Sequence, residues 1–228
     1  MELLGPPRRF VGRGGDKLDA ALDRFSIDVT GSVALDAGAS TGGFTDCLLQ
    51  RGASLVIAVD VGHGQLDPRL RADERVVALE HTNVRTLDPA ALASAAGPDR
   101  VPVDVVVADL SFISLTAAVP VLAGPIARAG AALVLLVKPQ FEVGRKEASR
   151  GRGVVREPEL WLGALRAAAS SLLAAGAAIM DAMRSPITGA SGNTEFFVHA
   201  VAHAGGVGAA LSEDAEQVLR RALASGPR

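Results

Sequence analysis

Near-continuous apolar runs rich in Val, Leu and Ile recur along the chain at Ser32–Asp36, Leu55–Asp60, Val76–Leu79, Val103–Asp109 and Ala131–Val137. Runs of this length without a polar alternate mark strands covered on both faces, as parallel strands are. Between them, Phe44–Arg51, Gln65–Ala72, Pro89–Ala95 and Leu115–Arg128 are spaced for helices, and an earlier helix over Asp16–Phe25 puts Leu18, Ala21, Leu22 and Phe25 on one face. The alternation predicts a twisted, mostly parallel sheet with right-handed crossovers. A Gly/Arg-rich loop, Gly144–Arg156, precedes a long helix that Pro158 opens and that carries Leu160, Trp161, Leu165 and Leu172. Two further strands, Ala177–Met183 and Glu195–Val201, are joined by the turn-rich Ser185–Asn193 with no helix between them, so they are expected to pair antiparallel at one end of the sheet. A last helix is capped by Ser212, has Glu213, Asp214 and Glu216 in its first turn, and carries Arg220 and Arg221 towards its end. The expected architecture is a single α/β domain over residues 1–228, with a core over about 10–203 and a C-terminal helix over about 211–225.

Composition narrows the class of molecule. Apolar types make up 49% and charged types 21% of the 228 residues, which excludes a disordered or fibrous chain. A single cysteine, Cys47, excludes a disulfide framework and a multi-thiolate zinc site, and it reads as packing. The N-terminal segment breaks at Gly5-Pro6-Pro7, before any signal-peptide core could form. The longest apolar stretch, Leu160–Ile179, is interrupted by Arg166, Ser170, Ser171 and Gly176, so it reads as helix then strand and not as a membrane span. The expected compartment is the cytoplasm. A net charge of −2 means that any binding of nucleic acid must come from a local basic surface. Only three of the 23 basic residues are lysine, namely Lys17, Lys138 and Lys146. Arginine keeps its charge, whereas lysine can lose its proton, so the places where lysine survives are informative.

Candidate chemistry gathers at the strand ends, where open α/β sheets bind ligands. The first strand runs into Asp36-Ala37-Gly38-Ala39-Ser40-Thr41-Gly42-Gly43-Phe44. Gly38, Gly42 and Gly43 permit a tight turn into a helix N-terminus, but Ser40 occupies the middle glycine position of a dinucleotide fingerprint. Asp36 there suits the ammonium of a methionine moiety better than a pyrophosphate, and Asp60 ends the second strand where an acid accepts ribose hydroxyls. Together they point to S-adenosylmethionine as cofactor. Asn83 offers an edge and Phe112 a face for adenine, although Phe112 reads equally well as core. Asp109 and Lys138 end neighbouring strands about 4.8 Å apart. Glu195 opens the last strand and Lys17 lies near the start of the first helix. His199 and His203 could share a strand face; two histidines without a third ligand give no metal site.

The blocks Arg13-Gly14-Gly15-Asp16-Lys17-Leu18, Leu35 to Thr45, Asp60 to Leu66, Asp109-Leu110-Ser111-Phe112-Ile113-Ser114-Leu115, Val137-Lys138-Pro139-Gln140-Phe141-Glu142 and Ser191 to Phe196 resemble, in order, the TlyA haemolysin-type ribosomal-RNA 2′-O-ribose methyltransferases. These are similar in turn to the FtsJ-like methyltransferases. The resemblance implies a Rossmann-like, SAM-dependent methyltransferase fold with a seven-stranded, mostly parallel sheet whose last strand is antiparallel. It also implies a Lys-Asp-Lys-Glu tetrad at Lys17, Asp109, Lys138 and Glu195. Methyl transfer to a hydroxyl is an in-line displacement that must also handle one proton. On this reading Lys138 accepts that proton, Asp109 and Glu195 orient it, and Lys17 positions the hydroxyl.

Three departures from the family bear on the acceptor. The small RNA-binding domain that usually precedes the core is expected to be absent, His63 stands where tyrosine is common, and Asp67-Pro68 replaces the usual residues of the next turn. The chain has no tyrosine, one tryptophan and seven phenylalanines, which is sparse material for stacking bases. Two acceptor classes are therefore open. One is RNA, ribosomal RNA by the resemblance, gripped by Arg145, Lys146, Arg150, Arg152 and Arg156 together with Arg8, Arg9 and Arg13. The other is a small specialised metabolite, since Glu142, Glu147 and Glu157 dilute the basic loop.

Overall fold

The apolar runs pair side by side; the central ones bury most of both faces, and those at the two edges, Val76–Leu79 and Ala178–Arg184, are half-buried. The computed structural model describes residues 9–144, 153–204 and 208–224. In chain order the elements are α1 (Arg13–Phe25), β1 (Val33–Ala37), α2 (Gly43–Gln50), β2 (Leu55–Val59), α3 (Pro68–Arg71), β3 (Val76–Leu79) and α4 (Pro89–Ala96). They continue with β4 (Val103–Ala108), β5 (Ala127–Val137), α5 (Pro139–Glu142), α6 (Pro158–Ala174), β6 (Ala178–Arg184), β7 (Phe196–Val201) and α7 (Glu213–Ala224). Among the described residues the strands form one seven-stranded sheet in the order β3-β2-β1-β4-β5-β7-β6. Strands β1 to β5 pair in parallel, and β7 is antiparallel to both β5 and β6. This is the arrangement that the resemblance implies, with the reversed strand wedged between its neighbours.

Side chains alternate across the sheet and feed two apolar layers. Leu35, Ile57, Val106 and Leu133 pack on one side with Leu92 of α4 and Leu165 and Leu172 of α6. Ala34, Val56, Val107 and Phe197 pack on the other with Leu18 and Leu22 of α1 and Phe44 and Leu48 of α2. The close approach of α1 to the N-terminus of α2 depends on glycine: a Cβ on Gly43 would lie 3.0 Å from the backbone nitrogen of Gly15 and 3.2 Å from Cα of Gly14. That contact lays α1 across the edge of the sheet where β1, β4 and β5 end.

The structure departs from the expected elements in four places. The helix expected over Leu115–Arg128 is broken into a 3₁₀ turn at Leu115–Ala117, one helical turn at Val119–Val121 and a wide turn at Leu122–Ile126, and Arg128 lies in β5. Pro120 and Pro125 cannot donate backbone hydrogen bonds, and Gly124 adopts φ −91°, ψ −105°, so a continuous helix fails there. The helix expected over Gln65–Ala72 shrinks to α3, because Pro68 occupies its first position and the Asp67 side chain caps it by accepting from the Arg69 N–H at 2.9 Å. Helix α1 begins at Arg13, three residues ahead of the expected Asp16. His203 lies beyond the end of β7, with its ring Nε2 3.1 Å from the Gly124 carbonyl, so it shares no strand face with His199.

Candidate active site

The carboxyl ends of β1, β2 and β4 open onto a cleft of about 390 Å³ lined by Gly38, Asp60, Asn83, Asp109, Ser111 and Phe112 among others. A smaller cavity of about 180 Å³ adjoins it, sharing Gly38, Ser40, Asp109 and Ser111, and adds Arg13 and Gly14 of α1, Phe44 of α2 and Lys138. Gly38 forms the ridge between the two. It sits at φ +85°, and a Cβ there would lie 2.7 Å from the Asp109 carbonyl oxygen, so no side chain can fill the turn.

Asp60 is held rigidly at the cleft: its two oxygens accept the Ser40 N–H at 2.8 Å and the Gly62 N–H at 2.7 Å. Ser40 donates its hydroxyl to Gln65 Oε1 at 3.2 Å. Asn83 caps the short turn Val84–Thr86 by accepting the Arg85 N–H at 3.0 Å, which leaves its amide nitrogen for the cleft. Gly42 and Gly43 open α2, and Phe44 contributes to the cavity wall while its ring packs 6.1 Å from that of Phe197.

Asp36 lies one layer deeper than the sequence reading put it. It is fully buried and lines neither cavity, because strand alternation turns it towards α2. Thr45 donates to its Oδ2 at 2.7 Å, while Oδ1 has no hydrogen-bond partner among the described residues. Burial raises its carboxyl to about 7, opposed by the Thr45 hydroxyl and reinforced by the charge of Asp109. Phe112 departs in the other direction. It is 90% exposed on the rim of the cleft at φ +65°, and its ring lies 5.4 Å from that of Phe141, so the core alternative does not hold.

The four residues of the implied tetrad form two ion pairs at one edge of the sheet. Lys138 Nζ lies 2.5 Å from Asp109 Oδ1 and donates to Ser111 Oγ at 2.8 Å. Lys17 Nζ lies 2.6 Å from Glu195 Oε2, with side chains only 8% and 3% exposed. The sequence reading assigned Glu195 to Lys138; the structure gives it to Lys17. Lys138 and Glu195 follow and precede the paired Val137 and Phe196, so they leave adjacent strands side by side. Helix α1 crosses that edge and supplies the closer cation.

The strand ends are strapped together. Glu142 of α5 accepts from Ser114 Oγ at 2.5 Å and from the Leu115 N–H at 2.6 Å, and burial raises its carboxyl despite these bonds. The segment before Glu195 is held by Asn193, whose side chain accepts from the Val155 N–H at 2.9 Å and donates to the Gly153 carbonyl at 2.8 Å.

Of the basic residues singled out for RNA, Arg8, Arg145, Lys146, Arg150 and Arg152 lie outside the described residues. Arg9 is paired with Asp19 at 2.5 Å and stacked over Phe10. Arg156 is exposed, and Arg13 lines the smaller cavity with a 3.5 Å contact to the Thr188 carbonyl. His199 stacks on Phe25, and burial lowers its pKa. Cys47 is buried and its thiol is pushed up to about 12. Among the described residues no three His, Cys, Asp or Glu side chains gather to hold a metal, and no helix is long and apolar enough to cross a membrane. Sequence reasoning missed Gln65 and Ser111 as site residues. Ser111 stands between Asp109 and Phe112 and bonds Lys138; its place two residues beyond the strand-end acid was the available signal.

The model of the FtsJ-like methyltransferase domain matches residues 10–202. The chain is 46% identical over 221 residues to the 16S/23S rRNA (cytidine-2′-O)-methyltransferase TlyA of Mycobacterium tuberculosis, covering 96% of this chain and 78% of that protein. It is 30% identical over 190 residues to the 23S rRNA (cytidine-2′-O)-methyltransferase TlyA of Campylobacter jejuni, covering 83% of this chain and 70% of that protein. A hemolysin-type structure from Streptococcus thermophilus superposes with a TM-score of 0.84 at 38% identity, over 96% of this chain and 76% of that one. At 15% identity and a TM-score of 0.56, a chain of the fibrillarin/Nop5p complex shares the fold, over 87% of this chain and 86% of that one. A seven-stranded sheet with its reversed strand, a glycine turn between two cavities and these matches along nearly the whole chain lead to one assignment: the protein is a methyltransferase of the FtsJ-like family and belongs to its TlyA group.

Proposed function

We propose that the chain transfers a methyl group from S-adenosylmethionine to a ribose 2′-hydroxyl of ribosomal RNA. The observation that carries this reading is the Lys138–Asp109 pair, which opens on the small cavity beside the nucleoside-sized cleft. The residues present fit the cofactor. Asp60 offers its remaining lone pairs to a ribose, Asn83 and the exposed Phe112 flank a space for adenine, and the Gly38 turn leaves room that a side chain would fill. The orphaned Oδ1 of Asp36 gives the site a buried acid beneath the turn, where a cationic ligand lowers the cost of its charge. Bound there, S-adenosylmethionine supplies an electrophilic methyl carbon on a sulfonium.

The chain's own residues then orient the acceptor and take its proton. Lys138 would accept the proton that the acceptor hydroxyl gives up on methylation, the thioether leaving from the methyl carbon, and Asp109 would stabilise the ammonium that forms. The buried Lys17–Glu195 pair fixes α1 against the start of β7, which sets the wall from which Arg13 reaches the cavity. Arg13 has no carboxylate partner among the described residues, and a phosphate next to the target ribose would satisfy its guanidinium. The M. tuberculosis and C. jejuni relatives, named for cytidine 2′-O-methylation, support the choice of acceptor.

Incubation with labelled S-adenosylmethionine and either bare ribosomal RNA, assembled subunits or extracted metabolites tests the proposal. Label is expected in RNA at a ribose, falling at least about 100-fold in Lys138→Ala. Lys138→Arg is also expected to fail, since arginine cannot unload its proton. Label appearing in a metabolite fraction but in neither RNA substrate overturns the reading.

A further inference from the structure

Three candidates outside the machinery already described present themselves: the stacked His63–His81 pair beside Glu80, the open hollow next to Arg9 and Phe10, and the Ser111 hydroxyl. His63 and His81 stack at 4.8 Å with His63 Nδ1 2.9 Å from Glu80, but Arg71 and the Gly64 N–H also occupy that carboxylate, so nothing there awaits a ligand. The hollow beside Arg9 is walled by groups that bond one another, Asp46 to the Val11 N–H and to Gln50. Ser111 is different: it is exposed, it lines both cavities, and the only hydrogen-bond partner found for it among the described residues is the amine assigned to take the proton.

We propose that Ser111 is a positioning residue that aims the proton-accepting lone pair of Lys138 into the small cavity, an inference resting on the role proposed above for Lys138. A free lysine amine has two N–H groups and one lone pair in tetrahedral array. Ser111 Oγ at 2.8 Å accepts one N–H, whereas Asp109 Oδ1, 2.5 Å from Nζ, makes an ion-pair contact without hydrogen-bond geometry and draws the second by charge alone. With one N–H fixed on Ser111 and the other drawn towards the carboxylate, the remaining tetrahedral position is the lone pair, and it is left for the acceptor hydroxyl. With Asp109 alone, the amine has no hydrogen bond to fix it and turns about its Cε–Nζ bond, so the lone pair is aimed only part of the time.

The backbone is built to keep Ser111 in place. The Asp109 N–H bonds the Ala37 carbonyl at 3.0 Å, tying the near end of the loop to β1. Phe112 at φ +65° turns the chain immediately after Ser111. Glu142 grips Ser114 and Leu115, tying the far end to the turn that begins with Lys138 itself. Serine and lysine are thus mounted on two loops strapped to each other, which keeps the backbones that carry hydroxyl and amine in register.

The test uses the scarcity of lysine in the chain. Labelling lysine with 15N at Nζ gives three amine signals, and Lys138→Ala identifies the one of interest. In Ser111→Ala, exchange of the Lys138 amine protons with water is expected to accelerate about tenfold, the loss of one hydrogen bond, and in Ser111→Thr to stay near the wild-type rate. In steady-state methylation of ribosomal RNA, Ser111→Ala is expected to lose about tenfold in kcat with the S-adenosylmethionine Kd and the RNA KM unchanged, and Ser111→Thr to restore the rate. Unchanged amine exchange in Ser111→Ala overturns the proposal whatever the acceptor. So does a loss confined to KM or to cofactor affinity. A wild-type enzyme that methylates no ribosomal RNA overturns the acceptor proposed above, while the exchange measurement still decides the role of Ser111.

Discussion

Breaking the Lys17–Glu195 contact separates two competing terms that the structure allows to be sized. At 2.6 Å the pair attracts by about 6 kcal/mol at an effective dielectric of about 20. Side chains 8% and 3% exposed have given up most of their hydration, at several kcal/mol per ion. The two terms nearly cancel, so the intact pair adds little net stability. Removing one partner abolishes the attraction and keeps the burial of the other, which costs about 3–5 kcal/mol. For a chain of this size that is a fall in Tm of roughly 6–20 °C. Lys17→Met and Glu195→Gln are therefore each expected to lose about 3–5 kcal/mol, and the double variant to return to within about 1–2 kcal/mol of wild type. Urea unfolding followed through Trp161 reads this directly, because the ring lies 5.9 Å from Phe196, the residue after Glu195. Single variants that cost under about 1 kcal/mol, with a double variant that simply adds them, would show that the charges remain hydrated and refute the reasoning.

Two further outcomes follow from single side chains. Asp36 has its carboxyl raised from 3.8 to about 7 by burial, so the folded state prefers it protonated: its contribution to stability is most favourable below about pH 4, declines as pH rises, and is flat above about 7. At 1.36 kcal/mol per pH unit the decline is roughly 4 kcal/mol, and Asp36→Asn should remove it, giving a variant more stable than wild type at pH 8 in urea titrations across that range; parallel curves for the two proteins would contradict this. Phe112 combines 90% exposure with φ +65°, so Phe112→Gly is expected to leave stability unchanged or raised by up to about 1 kcal/mol while weakening cofactor or RNA binding. Calorimetry and thermal unfolding on the same sample check both halves, and a clear fall in Tm with intact binding would assign the ring to packing.

The sheet was legible because its residues state their burial locally. All seven strands fall within a residue or two of their apolar runs, apart from β5, which begins at Ala127 instead of Ala131. Its early start and the broken helix before it share a cause that hydrophobic pattern does not encode, namely the missing donors of Pro120 and Pro125 and the freedom of Gly124. The antiparallel pairing of β6 and β7 was legible from the lack of an intervening helix. The site was legible as a set of residues and less so as a set of contacts. Asp109, Lys138, Lys17 and Glu195 do meet at one edge, yet which acid serves which amine depends on how α1 crosses that edge, and this rests on a glycine-to-glycine approach that residue type alone does not announce. Asp36 lies deeper than expected, and Phe112 takes the exposed one of its two readings. The parity of a strand position decides the first, and a left-handed backbone turn decides the second; neither leaves a mark in residue type.

The ion pair between the first helix and the last strand joins residues 178 positions apart. During synthesis at roughly 5–20 residues per second, Glu195 is added some 9–36 s after Lys17. Throughout that interval Lys17 lacks its buried partner, and the strand that separates β5 from β6 does not yet exist. Helix α1 meets α2 through the Gly15–Gly43 approach, but its tie to the far end of the fold closes only when the start of β7 has been made.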